Sequence, residues 1–182
     1  MNELFQEQKI WLSKIRPPDL SGFDELSDDK LAQVMAAEAA RAYELGYSYR
    51  NFRVGAAALY LYDDELYIEY GANFKGSKDC EIDRHAEQEI LAGLRVIGNV
   101  ACRVLAVSGD LQTDQHSGKR TLTLHPCGWC RDAIVNSPLI TLETMIVSAR
   151  PDLSVIEYGQ RDEYLQFHSG EVSSLRTLVT KE

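Results

Sequence analysis

Positive charge is scarce in this chain of 182 residues. Its 19 Lys and Arg stand against 28 Asp and Glu, a formal net charge of −9. A broad nucleic-acid surface needs clustered cations to displace counterions, so no polynucleotide partner is expected. A local basic pocket for a small charged ligand stays open. No apolar run approaches the roughly 20 residues of a membrane span, and residues 1–7 show no basic stretch followed by an apolar one. No membrane association or export leader is expected, and a cytoplasmic location with reduced thiols follows. No internal repeat, low-complexity tract or second-domain signal appears. The expectation is one domain over 1–182, with a helical extension at about 1–20 and a tail at about 160–182. Cysteine is limited to Cys80, Cys102, Cys127 and Cys130. Cys102 lies beside an apolar run and reads as a packing residue. Cys80 lies in a polar loop and has no assigned role.

What is present is ordinary for a globular chain: 45% hydrophobic and 26% charged residues. Residues 3–15 place Leu4, Ile10, Trp11 and Ile15 among charges and predict an amphipathic helix, which Pro17-Pro18 stops. Ser27, with Asp28 and Asp29 behind it, predicts the capped start of a second helix. Leu31, Val34, Met35, Ala39, Ala42 and Leu45 form its core stripe, and Gly46 suits its end. Residues 54–62 are apolar on both faces, as in a sheet interior. Residues 65–72 alternate, so 54–72 predicts a hairpin turning at Asp63-Asp64. Then follow a polar loop 73–84, a helix 85–97, a buried strand 103–109, an exposed loop 110–121 and a short helix 127–136. Strands at 144–149 and 153–158 come last, and the tail beyond 160 is expected to dock as a short helix or fray. That order predicts an α/β fold with a mixed sheet covered by helices on both faces.

Two short motifs carry the chemistry. The first is Arg84-His85-Ala86-Glu87-Gln88, opening the helix after the hairpin; the second is Pro126-Cys127-Gly128-Trp129-Cys130. A Cys-x-x-Cys pair alone fits a redox couple. It also fits a structural zinc site, which wants a fourth ligand; His116, His168 and Cys80 are candidates without tidy spacing. The third reading is a catalytic zinc, which needs three protein ligands and an open position for water. His85, Cys127 and Cys130 supply one nitrogen and two sulfurs, and residues three apart in a helix share a face. Two thiolates and a neutral imidazole balance Zn²⁺. Glu87 is then the acid–base group that handles protons without binding the metal. Positions 85 and 87 do not share a face of a regular helix. His85 must therefore sit at the helix lip in a non-helical conformation. His125 precedes Pro126, and its side chain is expected to point away from the metal. The paired motifs, H-x-E with P-C-x-x-C, form the general signature of zinc deaminases and favour the catalytic reading.

From residue 49 to 152 the sequence resembles the cytidine deaminase family. The likeness rests on "YRNFRVGAAAL" (49–59), "GAN" (71–73), "RHAEQ" (84–88) and "PCGWCRD" (126–132). The resemblance implies a three-layer α/β/α sandwich around a mixed five-stranded sheet. It implies a zinc-dependent hydrolase that releases ammonia from cytidine, deoxycytidine or a related aminopyrimidine nucleoside, within pyrimidine metabolism. It also implies a homo-oligomer, dimer or tetramer, with a small-molecule substrate. Carried onto this chain, Phe52 would pack on the base and Asn73 would bond the sugar. The backbone at Ala86 and His125 would meet the amine and ring. In nucleoside-specific members a Glu follows the Asn by two residues, whereas here Lys75 stands there. Lys75 and Lys78 make an anionic or modified cytosine compound the alternative substrate, such as a nucleotide or an antibiotic of the kind handled by blasticidin-S deaminase. A zinc-stabilised binding protein without turnover is the alternative outside enzymes.

Overall fold

The computed structural model describes residues 3–78, 82–98, 100–111, 121–171 and 174–180. Its elements in chain order are α1 (Glu3–Leu12), α2 (Asp28–Tyr43), β1 (Tyr47–Ser48), β2 (Val54–Tyr62), β3 (Glu65–Ala72), β4 (Phe74–Lys75) and β5 (Asp83–Arg84). There follow α3 (Ala86–Ile97), β6 (Ala101–Gly109), α4 (Gly128–Asn136), β7 (Ile140–Ala149), β8 (Val155–Gln160), α5 (Arg161–Ser169) and β9 (Arg176–Val179). The main sheet runs β3-β2-β6-β7-β8-β9. Only β6 and β7 pair in parallel within it, so the sheet is mixed as expected. Parallel neighbours need a long crossover, and α4 lies within it.

Strand β2 shows why the hydrophobic run is continuous. Ala56 and Ala58 pack into one core with Ile90, Leu94, Ile134 and Tyr164. Ala57 and Leu59 pack into the other, against Ala32, Met35 and Ala39 of α2. Side chains alternate across a strand, so burial on both faces requires apolar residues throughout. Helix α2 therefore covers one face, and α3, α4 and α5 cover the opposite one. The Ser27 hydroxyl caps α2 by accepting from the Lys30 amide at 3.4 Å. The strand also needs small residues: a Cβ at Gly55 would lie 2.0 Å from the Tyr43 nitrogen, so the end of α2 rides directly on β2.

Three expectations change. The tail docks as the expected short helix, α5, with Tyr164 and Phe167 buried, and then adds β9, a sixth strand that pairs with β8 at the sheet edge. The polar loop 73–84 contributes β4 and β5, which form a small second sheet with β1. Helix α1 turns the other way from its expected stripe. Leu4, Ile10 and Trp11 are exposed, while Gln8 and Leu12 are buried. Gln8 is held inside through its amide nitrogen, which donates to the carbonyls of Leu45 (2.7 Å) and Asn73 (2.8 Å). Phe5 meets Phe74 edge-on at 5.1 Å, and Leu12 packs with Ala42 and Ala72. Most of the expected loop 110–121, with His116, and Cys80 lie outside the described residues.

Candidate metal centre and cleft

Two helix starts meet at one end of the sheet. His85 is the residue before the first turn of α3, with extended backbone (φ −96°, ψ 141°). This is the conformation that lets positions 85 and 87 face the same point. Cys127 holds the corresponding place before α4, also extended (φ −66°, ψ 170°), and Cys130 lies in the first turn. Their ligand atoms converge. His85 Nδ1 lies 3.4 Å from Cys127 Sγ and 3.4 Å from Cys130 Sγ, and all three atoms fall within 4.8 Å of one another.

A tetrahedral zinc with ordinary Zn–S and Zn–N bonds separates its nitrogen and sulfur ligands by about 3.5 Å. The donor set and its spacing therefore fit zinc. Among the described residues the cluster consists of these three ligands. His168 is engaged elsewhere, as described below.

Glu87 is buried, 4% exposed, and interacts electrostatically with Cys127 and His85 and through its side chain with Cys130. Burial raises its pKa above the usual carboxylate range. Hydrogen bonding within the cluster favours the thiolate at Cys127 over that at Cys130. Cys127 is held down to about 4 by hydrogen bonding with Cys130 and His85. Cys130 is pushed up by its bond to Cys127 and by burial. His85 is raised chiefly by its bond to Cys127. Both helix starts direct partial positive charge at this anion. Cys102 is a different case: it is buried at a distance in the core, and burial raises its thiol to about 12.

The cluster opens into a cleft of about 1010 Å³. Phe52, Asn73, Lys75, Ala86 and His125, the five residues with implied substrate contacts, all line it. Their side chains are committed to different degrees. The Asn73 Oδ1 accepts from the Val54 amide at 2.7 Å, and its Nδ2 donates to the Phe52 carbonyl at 2.9 Å. Asn73 thereby fixes the start of β2, where Phe52 packs against the core. Lys75 forms an ion pair with Asp83 across β4 and β5. Lys78 is exposed. The His125 ring packs on Tyr164 and Phe167 at ring distances of 5.0 and 5.5 Å.

Sequence reasoning missed several supports. A Cβ at Gly71 would lie 2.3 Å from the Ala86 carbonyl oxygen, so this glycine lets the start of α3 seat on β3. Gln8 ties α1 to Asn73. Glu157 in β8 and His168 in α5 stand behind the second motif. Glu157 had a visible signal, a carboxylate within the apolar run Val155-Ile156-Glu157-Tyr158; His168 had none.

No family model and no curated protein matches the sequence. Solved structures do. A cytidine deaminase from Burkholderia pseudomallei is 20% identical, with a TM-score of 0.55, over 76% of this chain and 96% of that one. Cytidine deaminases from Mycobacterium leprae (21% identical, TM-score 0.46, 73% and 93% covered) and Mycobacterium tuberculosis (26%, 0.45, 66% and 85%) are also similar. With its mixed sheet packed between helices, and on the likeness to the Burkholderia structure, the chain has the cytidine deaminase fold.

Proposed function

We propose that this protein is a zinc-dependent deaminase of cytidine, deoxycytidine or a related aminopyrimidine nucleoside. The observation that carries this reading is the convergence of His85, Cys127 and Cys130 at a cleft where Glu87 is buried beside them. Bound zinc would supply Lewis acidity, which makes water a competent nucleophile near neutral pH. The chain supplies the rest. Glu87 accepts a proton from the attacking water and delivers protons to the ring nitrogen and the departing amine. Water adds to the amine-bearing carbon, the C–N bond breaks, and ammonia leaves. Phe52 packs on the base. Asn73 orders the β2 start and offers its second amide hydrogen to the sugar. The backbone at Ala86 and His125 meets the amine and ring. The Lys75–Asp83 ion pair supports an uncharged nucleoside over an anionic compound, because the lysine charge is already matched.

The test has two parts. The purified protein is expected to hold close to one zinc per chain. Glu87→Gln is expected to keep that zinc and lose ~10²–10⁴-fold in ammonia release from cytidine. Zinc without ammonia from any cytosine-like amine would instead favour a binding protein. We also infer a cytoplasmic protein, since a reducing compartment suits two unbridged thiols. Among the described residues no helix is long and apolar enough to cross a membrane. We also infer assembly as a dimer or tetramer, with Trp129, 76% exposed at the first turn of α4, as the contact to be tested.

A further inference from the structure

Behind the second motif lies a chain of buried and half-buried polar groups that the proposed chemistry does not use. Glu157 Oε2 accepts from the Thr123 amide at 3.0 Å and the Thr123 hydroxyl at 2.7 Å, and lies 3.1 Å from His125 Nε2. His125 Nδ1 lies 3.1 Å from His168 Nε2. His168 Nδ1 lies 3.4 Å from Arg131 Nη1, and the same guanidinium nitrogen donates to the Pro126 carbonyl at 2.8 Å. The side chains of His125 and Glu157 are 4% and 7% exposed.

Donor chemistry gives this chain one direction. A guanidinium only donates, so His168 Nδ1 must accept. A neutral imidazole has one donor and one acceptor, so His168 donates from Nε2 to His125 Nδ1. His125 then donates from Nε2 to a carboxylate that accepts only. Every link then has a donor and an acceptor, with Arg131 and Glu157 at the two ends.

The anchored segment matters. Thr123, His125, Pro126 and Arg131 bracket the two thiols, and the residues from Leu124 to Cys127 line the cleft. We propose that Glu157, His125 and His168 are positioning residues: a one-way hydrogen-bond relay, Arg131 to His168 to His125 to Glu157, that pins residues 123–131 from behind and so fixes Cys127 and Cys130 relative to His85. Its consequence for metal binding rests on the zinc reading above; its geometry does not. Outer partners of this kind typically change metal affinity ~10–100-fold.

The decisive measurement is ¹⁵N NMR of histidine-labelled, zinc-loaded protein. Both His125 and His168 are expected as the Nε2–H tautomer; a proton on Nδ1 of either ring overturns the relay. The second measurement is zinc affinity by competition with a chromophoric chelator. His168→Ala leaves His125 Nδ1 unpaired inside the protein and is expected to weaken zinc ~10–100-fold. His168→Gln presents an amide donor to His125 and a carbonyl to Arg131, and is expected to restore most of it. His168→Ala binding zinc as tightly as the unsubstituted protein overturns the proposal, as does His168→Gln behaving like His168→Ala. If the unsubstituted protein binds no zinc, the deaminase reading fails. The tautomers, measured then on the metal-free chain, still decide the relay.

Discussion

Gly71→Ala tests whether β3 sets the position of α3, the helix that carries Glu87 behind His85. The added Cβ would meet the Ala86 carbonyl oxygen at 2.3 Å and Ile90 Cγ1 at 3.0 Å. Ordinary contact begins at 3.4 Å, so the first turn of α3 must retreat by 3.4 − 2.3 = 1.1 Å. Ala86 lies between His85 and Glu87, and both move with it, while the thiols stay on α4. Overpacking of this kind costs about 1–3 kcal/mol, which for a chain of this size lowers Tm by roughly 2–12 °C. A misplacement near 1 Å at reacting groups can cost ~10²-fold in rate. Gly93→Ala is the control on the same helix. Its Cβ would meet Glu69 Oε1 at 3.0 Å, the movable end of a side chain. Removing a glycine from a helix interior is worth roughly 0.5–1 kcal/mol, so this variant is expected to be as stable as the parent or more. Thermal denaturation, zinc content and ammonia release would be measured on both. The reasoning is refuted if Gly71→Ala matches Gly93→Ala in stability and turnover.

Glu157 makes stability depend on pH in one direction. Burial opposes its ionisation, but hydrogen bonds from His125 and Thr123 outweigh burial and hold its pKa below the usual value. The ionised carboxylate thus contributes stability above an unfolded pKa of about 4.3, and the contribution is lost as pH falls through the lower folded value. Urea denaturation from neutral pH down to acid should show a shallower loss in Glu157→Gln than in the parent; equal slopes would remove Glu157 from that role. Asn73→Asp keeps an acceptor for the Val54 amide but cannot donate to the Phe52 carbonyl. It is expected to cost about 1–3 kcal/mol in denaturant unfolding and to raise KM for the nucleoside. Trp129→Ser is expected to weaken self-association in sedimentation while zinc content stays the same; unchanged assembly would exclude Trp129 from the contact.

The parts legible in the sequence are those set by local rules. Ser27 before two aspartates marks a helix start because a hydroxyl must meet orphan amides. The unbroken run of β2 and the alternation of β3 follow from which faces are buried. The two motifs were visible because metal chemistry restricts residue type and spacing more tightly than packing does. The rest depended on distant partners. Gln8 is polar by composition but buried, since only the fold brings the Leu45 and Asn73 carbonyls to it. Lys75 appeared as an available cation until β4 and β5 set Asp83 beside it. The tail had weak periodicity because β9 is a short edge strand, exposed or half-exposed along its length.

These long-range contacts divide into two braces, one for each half of the metal cluster. The start of α3 is seated on β3 through the missing side chain at Gly71, a steric brace that tolerates no added atom. The start of α4 is held by Glu157 and His168 through hydrogen bonds, a polar brace that depends on donor direction. The two should fail differently. Adding a methyl group at Gly71 displaces His85 and Glu87 together, so metal affinity and proton transfer suffer in one step. Breaking the polar brace displaces the thiols but leaves His85 and Glu87 in place, so metal affinity should fall before Glu87 loses its position. Turnover measured at saturating zinc would therefore recover in His168→Ala and remain low in Gly71→Ala. Equal recovery in both would mean that the two helix starts move as one body rather than being fixed separately.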